Sequence, residues 1–174
     1  MPTGLRFLFL TSFFGAAACA AAHVLTFADL AFYPIYLFLP LLFLIWIFAV
    51  WHMRRVPRKN LISEIFGNVP RWMKVSTALL FAYVFINFFA CMYLLDGGNT
   101  ERMSDQRLVL KSKGKILRDL TPAQFRHAEA VQIRMLTGHL LVFFTVAGFI
   151  FHTCWLKTGP AMANAKIFPP EKIH

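Results

Sequence analysis

The chain has 174 residues, 58% of them hydrophobic and 15% charged, against roughly 45–50% and 25% in a soluble domain. That balance argues against an ordinary soluble enzyme domain and for an integral membrane protein. The net charge of +10 sits mostly in Lys and Arg flanking apolar runs, where anionic lipid headgroups are the matching partner and nucleic acid is not expected.

Four apolar runs predict four spans, at about 5–27, 30–52, 75–95 and 133–156. In the first, Arg6 followed by an apolar stretch and a run of small residues fits a signal peptide, but the run is long enough to span by itself, and a retained span is expected. Its seven small residues from Ala16 to Ala22 allow another backbone to approach. They either pack the helices of this chain together or, through Ala17 and Ala21, hold a second membrane-inserted chain.

A short turn around Asp29 makes the first two spans an antiparallel pair. The second span carries Pro40 well inside, where a missing backbone donor predicts a kink. The segment 53–74 is rich in Arg and Lys, with Glu64 its single acid, and a short helical turn from Asn60 is expected to lie in the headgroup plane. The third span contains one strongly polar side chain, Asn87, which in hydrocarbon needs an interhelical partner.

Asp96-Gly97-Gly98-Asn99 reads as a turn, and RLVLKSKGKILRDL as two strands around Lys113-Gly114. A lone hairpin is marginal in water, so it should pack on Phe125, Ala128 and Val131 at the start of the next helix, or on another protein.

That helix is the longest element. Thr121, Pro122 and Gln124 form a capping-box start, and from Met135 no formal charge appears until Lys157. It should begin in water and end in lipid, with an extended tail over 157–174. With four spans, both termini and the 54–74 loop share a side. Together they carry ten Lys and Arg, against eight over 96–134, which favours cytoplasmic termini.

Four histidines fall in or beside the spans. His23 and His139 belong near the outer ends of spans one and four, His52 and His152 near the inner ends of spans two and four. Membrane histidines need a hydrogen-bond partner or a ligand. His139 and His152 are 13 residues apart, roughly 20 Å along a helix, and about 220° apart around it. The stretch GHLLVFFTVAGFIFH, with a histidine at each end, resembles the four-helix dihaem cytochrome b subunits of membrane-bound formate dehydrogenases and hydrogenases. The resemblance is confined to that stretch, and the first helix lacks the Arg-and-His start usual there. It implies b-type haem ligation by His23 with His139 and by His52 with His152, for electron transfer.

No acidic residue lies in the middle of a span, and HExxH, Gly-rich phosphate-loop and Ser–His patterns are missing. The cysteines, Cys19, Cys91 and Cys154, fall singly in apolar runs. The resulting expectation is an all-α membrane protein with four helices in an antiparallel up-down bundle, a long fourth helix and a small β-hairpin before it. Its expected role is that of a non-enzymatic accessory, assembly or interaction subunit in a bacterial inner membrane, bound to other membrane subunits without a cofactor. The haem b protein is the alternative.

Overall fold

The computed structural model describes residues 3–54, 66–67 and 69–167, with side chains as far as Trp155. The fold is mostly helical (75%). Its helices are α1 (Thr3–Leu25), α2 (Phe38–Met53), α3 (Arg71–Leu94) and α4 (Pro122–Ile167), and its strands are β1 (Asn99–Arg102), β2 (Leu108–Ser112) and β3 (Lys115–Asp119). All four helices, α2 together with the 3-10 turn Tyr33–Leu37 before it, are long and apolar enough to cross a membrane. The middle of the basic segment, including the turn expected from Asn60, and the last part of the tail lie outside the described residues.

Three expectations need correction. Pro40 falls in the first turn of α2, where its amide would have no helical acceptor, so it marks the passage from the 3-10 turn into α-helix and not a mid-span kink. The extended tail from 157 gives way to helix as far as Ile167. The run Ala161-Met162-Ala163-Asn164-Ala165-Lys166 is rich in strong helix formers, and Pro160 removes only one backbone donor. The hairpin is the larger part of a three-stranded antiparallel sheet, ordered β1-β2-β3. Asp96 and Gly97 turn the chain with φ of 50° and 65°, which frees Asn99 to start a strand paired with Lys111. The strand is reinforced by Glu101, whose carboxylate lies 2.9 Å from the Lys111 ammonium.

The long helix α4 is the element that packs against all three others, and α1 packs on it along most of its length. The reason is a seam on each helix. On α1 and the turn after it, Leu5, Ser12, Gly15, Cys19, Ala22 and Thr26 are buried, and with Leu8 they follow alternating steps of three and four. On α4, Ile133, Thr137, Leu140, Phe144, Ala147 and Phe151 do the same and are all 2% exposed or less. Such steps keep a residue at the interface every 3.5 positions, as in a coiled coil. The small α1 residues accept the large ones of α4: a Cβ on Gly15 would lie 2.6 Å from the Phe144 ring.

Leu42, Ile45 and Ala49 bring α2 onto the same core, and Thr77, Val84, Asn87 and Cys91 are the buried residues of α3. The remaining faces of α1, α2 and α3 are aromatic and aliphatic and stay exposed, as in Phe7, Phe43 and Phe85.

The sheet closes over the junction of α3 and α4. Leu110 and Leu120 pack with Cys91 of α3, with Leu95 just after it, and with Phe125, Ala128 and Val131 of α4. The start of α4 is held by a reciprocal capping box: the Thr121 amide donates to Gln124 Oε1 (2.9 Å) and the Gln124 amide to Thr121 Oγ1 (3.3 Å).

Candidate functional site

Buried His23, Thr26, Asn87 and Thr137 come together where the end of α1 meets α3 and α4. His23, 5% exposed, bridges all three helices. Its Nδ1 is 2.9 Å from Thr137 Oγ1 on α4, and its Nε2 is 2.6 Å from the Tyr83 hydroxyl on α3. Hydrogen-bond counting orients this chain. Thr137 has one hydroxyl hydrogen and directs it to its own helix, where Ile133 O is 2.8 Å away. The Thr137 oxygen therefore accepts from Nδ1–H, which leaves Nε2 as the acceptor for Tyr83 O–H. Both imidazole nitrogens are engaged.

One turn away on α4, Arg134 reaches over the end of α1. Its Nη2 donates to Thr26 O (2.9 Å) and its Nε to Thr26 Oγ1 (3.1 Å). Its guanidinium carbon stands 4.1 Å from the centre of the Phe27 ring. A cation is thus placed against a helix C-terminus, where unpaired carbonyls gather negative charge, and it gains a cation–π contact as well. Thr26 Oγ1 donates back to His23 O (2.6 Å), so the two groups share one turn of backbone. His127, seven residues before Arg134 and hence on the same face of α4, holds the far side of this turn, with Nδ1 2.7 Å from Asp29 Oδ1.

Asn87 stands beside this junction, 8% exposed. Its Oδ1 takes a weak contact from Cys91 Sγ at 3.7 Å. Its Nδ2 has no hydrogen-bond partner among the described residues and would lie 3.3 Å from a Cβ on Gly138. The missing side chain of Gly138 is what lets α3 and α4 close over the amide.

The other histidines are dispersed. His139 Nδ1–H donates to Met135 O (2.7 Å); the ring rests edge-on against Phe88 and lines a groove of about 240 Å³ between α3 and α4 with Phe81 and Phe85. It shares the level of His23, which approaches the neighbouring Gly138, but it faces α3 while His23 lies on Thr137. His52 bonds Phe48 O (2.8 Å) and lies between the Trp51 and Phe151 rings. His152 lies between Phe9 and Trp155, with a buried Nδ1 that has no hydrogen-bond partner. For His23 to bind iron it would have to give up Tyr83 or Thr137. Among the described residues, no group of three or more His, Cys, Asp or Glu is placed to hold a metal ion.

Comparison with protein-family models, curated proteins and solved structures finds no match for this chain. What the site does is therefore argued from its own geometry, which ties α1, α3 and α4 into one unit.

Of the four residues singled out for interaction, Asn87 and Phe125 are buried between elements of this chain. Ala17 and Ala21 are exposed on the outer face of α1. Sequence reasoning missed Tyr83, Thr26, Thr137 and Arg134. The available signal was the seven-residue interval from His127 to Arg134, which puts two side chains with hydrogen-bonding nitrogens on one helix face.

Proposed function

We propose that this chain is a four-span membrane protein that serves as an accessory subunit, gripping another membrane-inserted chain through the outer face of α1. The observation that carries the reading is the division of labour among its small residues. Gly15, Cys19 and Ala22 face inward and are used up in packing on α4. Ala17 and Ala21 face outward and are exposed among the described residues. They lie between exposed Phe13 and Val24 in steps of four, four and three, one stripe of a helix. Small residues flanked by large ones form a shallow depression, the shape that lets a second transmembrane backbone approach. The buried polar groups support a structural role in the same way, because His23, Thr26 and Arg134 bond to one another's elements and so fix the shape of α1. In this reading both termini and the basic 54–74 segment face the cytoplasm, against anionic headgroups.

Photo-crosslinking in native membranes tests it. A photoreactive phenylalanine analogue at Phe13 should give a discrete protein adduct that disappears when Ala17→Leu or Ala21→Leu is added, while the same probe at Phe85 should not. Adducts to lipid alone, or an adduct that survives both leucines, would sink the proposal. An adduct of twice the chain mass would replace the accessory role with self-association.

A further inference from the structure

The strand ends beside the tip of the β2–β3 hairpin are held against the end of α3. Ser112 Oγ donates to Gly97 O (3.1 Å), three residues beyond the last residue of α3. Arg118 stands 3.6 Å from Asp96. A Cβ on Gly98 would meet Lys111 O at 3.0 Å and Leu117 Cδ1 at 3.2 Å, so the hairpin is pressed onto the chain as it leaves the helix. The tip itself is a tight two-residue turn, with φ of 49° at Lys113 and 81° at Gly114.

The side chains at this end have an unusual composition. Lys113 and Lys115 are exposed, and among the described residues neither has an ion-pair partner. Beside them Ile116 and Leu117 are 43% and 45% exposed. A register shift between Leu110 and Lys111 leaves Leu117 as the extra residue on β3, which breaks the alternation that would send neighbouring side chains to opposite faces. Two lysines and two aliphatic residues are thus exposed close together in the chain, at this corner of the sheet. That corner continues the outer surface of α3, whose last turns expose Phe89 and Tyr93.

We infer that this hairpin tip is an interfacial anchor for anionic phospholipid, with Lys113 and Lys115 on headgroup phosphates and Ile116 dipping below them. The inference rests on α3 spanning a bilayer and is independent of any partner on α1. Charge selects the occupant: an ammonium near an anionic bilayer surface gains about 1 kcal/mol, or roughly fivefold in docking equilibrium. Apolar side chains below basic ones are the arrangement by which surface segments enter the headgroup layer. A protein partner would need acidic groups matched to the lysines, and nothing about the corner requires one.

The test uses the full chain with a nitroxide at Ile116→Cys, reconstituted in phosphatidylcholine vesicles with or without phosphatidylglycerol. Power saturation compares relaxation by oxygen, enriched in lipid, with relaxation by a water-soluble nickel chelate. Labels at Phe89→Cys and Asp105→Cys give the lipid and water references, and unlabelled-site background is subtracted using the parent chain. With phosphatidylglycerol the 116 label should read close to the 89 label, and without it should shift toward the 105 label. Adding Lys113→Gln and Lys115→Gln should erase that lipid dependence. A 116 label that reads as water in both vesicles overturns the anchor, and a phosphatidylglycerol effect that survives both substitutions removes the lysines from it. An aqueous reading at 89 would instead overturn the spanning reading of α3. Native mass spectrometry gives a second check, since the double substitution should lower retained phosphatidylglycerol without altering retained phosphatidylcholine.

Discussion

Replacing Gly15 with alanine would drive a methyl into the buried Phe144 ring, 2.6 Å from the Cβ position, and neither a tightly packed helix nor a fully buried ring yields easily. The expected loss is about 1–3 kcal/mol, measured by detergent titration of helix content, whereas Gly4→Ala, with nothing within 4 Å, should be neutral. A second residue-scale prediction concerns pH. The Arg107 side chain, 2.7 Å from Asp105, and the Arg107 amide hold the Asp105 carboxyl below the usual carboxylate range. A depressed carboxyl contributes order above its unfolded pKa and loses it as pH falls through the folded value. Carboxyl-carbon NMR should accordingly show Asp105 titrating below the ordinary carboxylate range, and Arg107→Ala should move that titration back up toward it. The histidines were legible as residues requiring partners, and for His23 those partners are now Tyr83 and Thr137. Which partners could not be read from the sequence, because Tyr83 and Thr137 are ordinary in composition. They become special only through the rotation of α3 and α4 about their axes.

At the scale of elements, α4 joins the sheet to the spans, and its continuity is open to test. Ala130 is fully buried between the section that carries the sheet and the section that carries the seam. Ala130→Pro removes a helical hydrogen bond at about 3 kcal/mol or more, so residues 99–119 should become sensitive to protease while the fourth span stays inserted. Protection unchanged from the parent would show that the sheet is held by α3 alone. The position of all four long helices was written in apolar length, and the start of α4 in the capping pair Thr121 and Gln124. Strand β1 was not legible because its four residues, Asn99–Arg102, carry no apolar alternation and are strand only by pairing with β2. The helical tail was hidden by Pro160, a local signal outweighed by the alanines after it. The seam was present in the sequence as steps of three and four. On α1 its members are Ser, Gly, Cys and Ala, which hydropathy does not distinguish from the outward-facing Ala17 and Ala21.

For the molecule as a whole, the visible spectrum separates the two roles set out for it. Protein purified from haem-replete cells should show no Soret band, because His23 has both ring nitrogens engaged and His139 faces a different side of α4. A stoichiometric band abolished by His139→Ala would instead establish the electron-transfer role and require the junction around His23 to rearrange. The central position of α4 also has a bearing on biogenesis. A chain is made from its N-terminus, at about 5–20 residues per second, so the helix on which α1, α2 and α3 all pack leaves the ribosome after all three of them. On the four-span reading, a bilayer then hosts three helices before their common neighbour exists, with His23 lacking Thr137 and the Thr26 carbonyl lacking Arg134. Order of synthesis and order of assembly run in opposite directions, so any stop codon before residue 121 would release inserted but unassembled helices, the kind of substrate that membrane quality-control proteases clear.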